Sequence, residues 1–215
     1  MMTSRALNIL LFGRTGQLGW ELRRTLPPLG QVTALDFPEI DFTHPADLER
    51  VIRETRPDVI LNAVAYTAVD RAETEPVVAR AINATAVGVL ATLAAEIGSA
   101  FIHYSTDYVF DGKKGSPYVE TDPTSPLGVY GQTKLEGERL AEQAGGAALV
   151  FRTSWVYSTR RDSFVTKVLQ WSRSQPQLRM VTDQVGCPTW SRMLAEMTAQ
   201  VLARAGQDPV AYLRE

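Results

Sequence analysis

Ala6-Leu-Asn-Ile-Leu-Leu-Phe12, then Gly13-Arg-Thr-Gly16-Gln-Leu-Gly19, then Trp20 to Leu26: this stretch decides the fold. Ala6 to Phe12 is a continuous apolar run of strand length, and the residues from Trp20 read as a helix that Pro27-Pro28 stops. Between them lies a glycine-rich turn. Gly13 suits the tight turn, Gly16 lets the backbone approach a pyrophosphate, and Gly19 permits close packing of helix on strand. The unpaired amides of the helix N-terminus then offer a place for phosphate. The plainer reading is a connection that merely needs flexible residues. The strand-turn-helix context favours a nucleotide.

Working outward, the alternation continues. A second strand is expected over Gln31 to Asp36, then a helix from Pro45 to Thr55 with Thr43 as its N-cap. A third strand spans Asp58 to Ala63. A long helix, apolar on more than one face, opens at Thr74-Glu75-Pro76 and ends at Gly98. Ala100 to Ser105 reads as a fourth strand, Gly128 to Gln143 as a helix and Ala147 to Thr153 as a fifth strand. Strand and helix alternating in this way, with apolar strands, predict an α/β fold with a doubly wound parallel sheet of Rossmann type. After Ser154 the pattern loosens into a helix near Ser163 to Ser174, a short strand near Leu178 to Thr182 and a helix from Trp190 to Ala205, a small C-terminal part. The long Gly/Pro/Ser/Thr-rich loop from Asp111 to Pro126 points to function or mobility.

The 215 residues, 45% hydrophobic and 21% charged, suffice for one globular domain with a small appended lobe. A net charge of -2 gives no electrostatic case for a nucleic-acid partner or an anionic membrane. The single cysteine, Cys187, excludes an intrachain disulfide and a Cys-rich zinc site, and two histidines are few for a His-based one. Met1 to Ala6 lacks the apolar core of a signal peptide, and no apolar run is expected to span a bilayer, so the expected location is cytoplasmic.

Three places carry chemistry. Asp36, at the end of the second strand, suits the adenosine ribose hydroxyls and favours NAD(H). Arg14, inside the glycine loop, suits a 2'-phosphate and favours NADP(H), so the two signals conflict. Tyr130-Gly-Gln-Thr-Lys134 puts a phenol and an ammonium on one helix face. An adjacent cation lowers the pKa of a tyrosine, which is otherwise a poor acid or base at neutral pH. At the end of the fourth strand Ser105-Thr106-Asp107 offers a hydroxyl to a substrate carbonyl, or simply a strand-end cap. Carboxyl ends of strands are where ligands sit in open α/β sheets.

Six stretches together resemble the extended short-chain dehydrogenase/reductases. They are ILLFGRTGQLGWEL (Ile9–Leu22), RPDVILNAVAYTAVDRAE (Arg56–Glu73), STDYVFDG (Ser105–Gly112), PLGVYGQTKLEGE (Pro126–Glu138), RTSWVY (Arg152–Tyr157) and DQVGCPT (Asp183–Thr189). The resemblance implies NAD(P)H-dependent reduction of the C4 ketone of a nucleotide sugar, dTDP-4-dehydro-L-rhamnose, in cell-surface polysaccharide synthesis. The alternatives are another nucleotide-4-ketosugar or a non-catalytic NADP-binding regulatory relative. Tyr130 would protonate the C4 oxygen, Lys134 would lower the Tyr130 pKa and hold the nicotinamide ribose, and Thr106 would polarise the carbonyl. Gly16, Gln17 and Leu18 would wrap the pyrophosphate, with Gly13, Arg14 and Gly19 completing the cofactor-binding turn. Asp36, Asp41 and Phe42 would surround the adenosine, and Ala65, Tyr66 and Thr67 would line the cofactor. Val69, Asp107, Tyr108 and Trp155 would approach the sugar, with Gln184 to Thr189 on the nucleotide-sugar side. Residues 1–155 would form the cofactor-binding domain and 156–215 part of a substrate-binding lobe that the family continues beyond this point.

Related dehydratases carry an acidic pair after the threonine at the fourth strand end. Here Tyr108 replaces the second acid, which favours a reductase. Some members dimerise around magnesium held by two carboxylates. Glu21 matches the first, but Arg192 stands at the second, so no metal site is expected and a homodimer stays open. Of the other conspicuous residues, His103 reads as a packed core histidine, His44 as solvent-facing and Cys187 as unactivated. Trp20, Trp171 and Trp190 read as packing residues, and the acids from Leu135 to Glu142 as a solvated face.

Overall fold

The computed structural model describes residues 5–214; Met1–Ser4, part of the leader reading above, lie outside them. Five parallel strands, β1 (Leu7–Phe12), β2 (Gly30–Leu35), β3 (Val59–Asn62), β4 (Ala100–Thr106) and β5 (Ala147–Thr153), form one sheet in the order β2-β1-β3-β4-β5. Alternate residues of β1 enter two different cores, as the period of a strand requires. Leu7, Ile9 and Leu11 pack with Leu18 and Leu22 of α1 (Gln17–Thr25) and with Leu194, Ala195 and Leu202 of α8 (Ser191–Ala205). Leu10 and Phe12 pack on the other face with Leu48 and Ile52 of α2 (Pro45–Thr55), Leu90 of α5 (Ala86–Ile97) and Ala141 of α6 (Val129–Gln143). Helices thus cover both faces, which explains why the strands read as unbroken apolar runs. The strand order reverses around β1 and β3, which opens the crevice at their carboxyl ends.

The remaining elements are α3 (Val69–Ala72), α4 (Pro76–Arg80), α7 (Phe164–Ser174), α9 (Pro209–Arg214) and a two-stranded parallel pair, β6 (Val156–Tyr157) with β7 (Thr189–Trp190). The expected long helix is present as α4 and α5 joined by a π-helical segment, Ala81–Thr85. Contrary to the sequence reading, this helix, Pro76–Ile97, is by length and composition apolar enough to cross a membrane, with mean hydropathy 1.7. Half of its most apolar 18-residue stretch is buried inside the protein, the mark of a core helix covering a sheet.

Three expectations are corrected. His44, not Thr43, is the N-cap of α2; the Thr43 amide and hydroxyl instead donate to Asp41 Oδ1 at 2.8 and 2.7 Å. No strand forms over Leu178 to Thr182, because no neighbouring strand lies there to pair with it; Thr189–Trp190 pairs with β6 instead. Trp171 and Trp190 are 38% and 47% exposed rather than packed inside. His44 is solvent-facing as expected.

Candidate active site

The first βα turn is built as its glycines predict. Gly13 adopts φ +89°, and a Cβ there would meet the Ala63 carbonyl carbon at 2.8 Å. A Cβ on Gly19 would sit 1.9 Å from the Gly13 carbonyl oxygen, so only glycine lets α1 start this close to the strand. Gly16 is the N-cap of α1, with no side-chain cap and no acid in the first turn, and its amide-bearing end faces a cavity of about 610 Å³.

Asp36 and Arg14 are both engaged within this corner. Asp36 Oδ2 accepts from the Thr15 amide and hydroxyl at 2.8 and 2.6 Å, while its Oδ1 accepts from the Phe37 amide. Arg14 donates to the Ala34 carbonyl and pairs with Glu39. Asp41 is held below the usual carboxylate range by the Thr43 hydroxyl and amide. The Phe42 side chain lies in the core, edge-on to Phe12 with ring centroids 5.5 Å apart, so its ring does not line the cavity. The Tyr66 phenol likewise turns away, onto Glu75.

The cavity gathers the remaining candidates from the carboxyl ends of four strands. Gly16, Gln17 and Leu18 come from the turn after β1, Ala65, Thr67 and Val69 from beyond β3, Thr106, Asp107 and Tyr108 from the end of β4, and Trp155 from beyond β5. Tyr130 and Lys134 enter from α6. A second cavity of about 450 Å³ shares Val69, Asp107, Tyr108, Tyr130 and Trp155 with the first and adds Gln184 and Val185. The two therefore meet at Tyr130. Gly186 to Thr189 line a different, apolar groove.

Local packing explains how α6 delivers its side chains. Its first amide, on Val129, is capped by Glu73 Oε1 at 2.8 Å. A Cβ on Gly131 would lie 2.2 Å from the Tyr108 carbonyl, so the helix start presses on the turn after β4. Nearly two turns further along, a Cβ on Gly137 would lie 2.2 Å from the Asn83 carbonyl, which is inside the π segment. The buried Asn83 amide group ties that segment to both sides: Nδ2 donates to the Tyr66 carbonyl and Thr133 Oγ1, and Oδ1 accepts from the Tyr66 amide. Sequence reading missed Asn83, because nothing in an apolar helical pattern marks a π turn.

Thr106 is both the expected cap and a cavity residue. Its Oγ1 accepts from the Tyr108 amide at 3.2 Å and donates to Asp107 Oδ1 at 3.1 Å, and Asp107 Oδ2 accepts from Ser154. The Tyr130 ring lies edge-on to Tyr108 at 5.4 Å. Burial pushes the Tyr130 phenol up to about 12, with the Thr106 hydroxyl pulling the other way. Burial brings Lys134 down to about 7, partly opposed by Glu138. Glu138 corrects the reading of a solvated acidic face, since it is buried and takes a double hydrogen bond from Arg152. Ser105 Oγ, also at the cavity, is buried with no partner among the described residues.

On the far side, Gln17 Nε2 donates to the Val156 carbonyl and Gln17 Oε1 accepts from Ser158, lashing the glycine turn to the segment after β5. Trp155 adopts φ +46°, an unfavourable region for a bulky residue, and stacks edge-on to Phe164 at 5.0 Å. Arg161, Asp162 and Phe164 also line the first cavity; nothing in their spacing announced it. Arg192 donates to Glu21 Oε2 at 3.3 Å and to Glu196 at 2.6 Å, so the guanidinium occupies the carboxylate. Trp20 lies under Arg160, whose guanidinium carbon is 3.3 Å from the ring centroid.

A doubly wound sheet with a glycine turn at its switch point, and a Thr, Tyr and Lys at the adjoining strand end, define a nicotinamide-nucleotide oxidoreductase of the short-chain type. Comparison with known proteins narrows this. Residues 7–212 match the model of the family described as "RmlD substrate binding domain", and the chain belongs to that family. The chain is 47% identical to dTDP-4-dehydrorhamnose reductase of Burkholderia thailandensis over 205 residues, covering 95% of this chain and 69% of that one. It is 46% identical to the enzyme of the same name from Escherichia coli strain K12 over 207 residues, again covering 69% of the relative. A crystal structure of dTDP-4-dehydrorhamnose reductase from Bacillus anthracis in complex with NADP superposes with a TM-score of 0.88 at 30% identity, covering 94% of this chain and 72% of that one.

Proposed function

We propose that the chain is an NAD(P)H-dependent reductase of the C4 ketone of dTDP-4-dehydro-L-rhamnose, giving dTDP-L-rhamnose. The observation that carries this is the meeting of two cavities at Tyr130, one opening on the glycine turn and the other on the Gln184 side. The site fits a dinucleotide: Gly16 leaves the N-terminal amides of α1 bare, and Ser105 Oγ is a buried hydroxyl still lacking a partner. Bound there, NADPH or NADH supplies the hydride that adds to C4.

The chain's own residues do the rest. Gly16, Gln17 and Leu18 hold the pyrophosphate, and Lys134 holds the nicotinamide ribose and, as an ammonium, offsets negative charge near Tyr130. Thr106 turns its hydroxyl proton from Asp107 to the substrate carbonyl oxygen. Tyr130 donates its proton to that oxygen as the alkoxide forms. A phenol whose burial raises its pKa to about 12 is protonated throughout the neutral range, the state a proton donor needs. Asp107, Tyr108, Val69 and Trp155 face the sugar. Residues 1–155 form the cofactor-binding domain, which also carries the catalytic helix and these four sugar-facing residues, and 156–215 form part of the substrate-binding lobe, with α8 returning to the sheet. Since Arg192 already neutralises Glu21, we place no magnesium there, and adding magnesium should change neither mass nor activity. The cytoplasm is the compartment we assign.

The test follows the oxidation of NADPH and of NADH by absorbance, with the ketosugar generated in place by the preceding enzymes. Substrate-dependent oxidation is expected, and the two rates give the cofactor preference. Cofactor binding without any oxidation would overturn the reading in favour of a nucleotide-binding regulatory protein.

A further inference from the structure

His103 does more than pack. It is fully buried in β4, stacked on Phe101, and its two ring nitrogens look in opposite directions. Nε2 lies 3.0 Å from Lys134 Nζ, and Nδ1 lies 3.3 Å from Asn62 Nδ2. Asn62, also fully buried, has its amide orientation fixed because Oδ1 accepts from the Val64 amide at 3.0 Å. Lys134 Nζ, in turn, donates to the Tyr104 carbonyl at 2.7 Å. The result is a buried polar chain, Asn62–His103–Lys134, that reaches the cavity only at Lys134.

Burial and the neighbouring lysine hold the His103 pKa well below its ordinary value, so the ring is neutral and carries one N–H. That single hydrogen forces a choice. With the hydrogen on Nε2, the ring donates to Lys134, which must then be an amine with a lone pair, and Nδ1 accepts from Asn62 Nδ2. With the hydrogen on Nδ1, directed to the Asn62 main-chain carbonyl, Nε2 accepts from a lysine ammonium. The ammonium, with no lone pair, is satisfied only by the Nδ1–H tautomer; the amine can meet either, and the fixed Asn62 Nδ2 donating to Nδ1 then selects Nε2–H.

We propose that His103, oriented by Asn62, is a positioning residue for Lys134, and that its ring changes tautomer as Lys134 changes between amine and ammonium. One proton enters at Nζ while the ring proton moves from Nε2 to Nδ1, so the pair gains one charge and the imidazole stays neutral. The depressed pKa of Lys134, about 7, places the exchange within the working range. The charges acting on the pair are few. Glu138, on the same helix, favours the ammonium but is shared with Arg152 of β5, and the Tyr104 and Tyr130 phenols keep their protons because burial raises both. Asp107 lies beyond Tyr130 and acts on that phenol.

This inference rests on the place of Lys134 in the proposed active site, but its test needs no turnover, so either reading can fail alone. The sequence has two histidines and four lysines, Lys113, Lys114, Lys134 and Lys167, which keeps the spectra legible. Ring-nitrogen NMR of the wild-type protein should show His103 passing from the Nε2–H to the Nδ1–H form with the same midpoint as the Lys134 ε-carbon shift. A single tautomer across the lysine titration, or an imidazolium in that range, would overturn the proposal. In His103→Phe the ammonium loses its acceptor, and the Lys134 midpoint should fall by about one unit or more, a tenfold shift in the amine-to-ammonium ratio. His103→Gln, presenting an amide oxygen, should bring it back. An unchanged midpoint in a folded His103→Phe protein would equally overturn it, and should that variant not fold, the wild-type spectra decide alone.

Discussion

Two regions of the chain follow different rules. All seven residues of β4 are buried, and the strand is gripped by β3 and β5 on either side. In α7 no residue is buried, although the helix is amphipathic and begins with a Ser163–Thr166 capping box. Around it Leu169, Met180, Val181 and Val185 stay exposed, Val185 at 97%. The sheet is thus held by burial, whereas the segment from 156 to 190 is held by a few local devices: the cap, the two-residue pairing of β6 with β7, the Gln17 tethers and the Trp155–Phe164 contact. The proposed reacting groups belong to the first region. The proposed sugar-side residues beyond Trp155 belong to the second.

The largest effect expected from this division is chemical. Tyr130→Phe removes one hydroxyl from the rigid region and should lower kcat by about 10²–10⁴-fold while leaving the cofactor dissociation constant nearly unchanged. Steady-state kinetics with a cofactor-binding titration checks it. Retained turnover would end the assignment of Tyr130 as donor.

Next in size is a stability contrast. Leu10, fully buried between β2 and β3, should cost about 2–5 kcal/mol when changed to alanine, since the cavity left in a packed core cannot collapse. Urea unfolding measures it. A cost below about 1 kcal/mol would show that the sheet is packed more loosely than its burial implies.

The same contrast governs what could be read in advance. The five strands were legible because strands buried on both faces are unbroken apolar runs, and the glycine turn because Gly13 and Gly19 have no room for a Cβ. That Tyr130 and Lys134 share one helix face was legible from their spacing, and the structure brings both to the cavity. Asn83 and the His103 link to Lys134 were not, since both depend on contacts between elements far apart in sequence: α6 against the π segment, and β4 against α6. Leu178 to Thr182 misled because an apolar run reads as a strand whether or not an edge lies beside it; here none pairs with it. The direction of the Phe42 ring was not legible either, because an aromatic beside a polar turn looks the same in sequence whether its ring faces a cavity or, as here, Phe12.

A third prediction concerns pH. On the proposed mechanism Lys134 holds the ribose and offsets the developing negative charge as an ammonium, and burial lowers its pKa to about 7. Its active form is therefore lost as pH rises, and kcat/KM should fall about tenfold per pH unit above roughly 7. Tyr130, raised to about 12, adds no break of its own below pH 10. In Lys134→Met the residual activity should be flat across the same range. A wild-type profile flat to pH 10 would mean that the ammonium is not the working form.

The smallest effect is the sharpest check on the comparison. Leu169 is 54% exposed on α7, so truncating it to alanine removes contacts that are mostly with water. Leu169→Ala should change unfolding free energy by no more than about 0.5 kcal/mol, against the several lost at Leu10 for the same deletion of atoms. Alanine is also the better helix former, which offsets part of any loss. Measured side by side in urea, the pair holds chemistry constant and varies only place. Equal costs at the two leucines would show that α7 is buried in solution by something that packs on it. The division between a sheet held by burial and a sugar-facing segment held by local ties would then have to be redrawn.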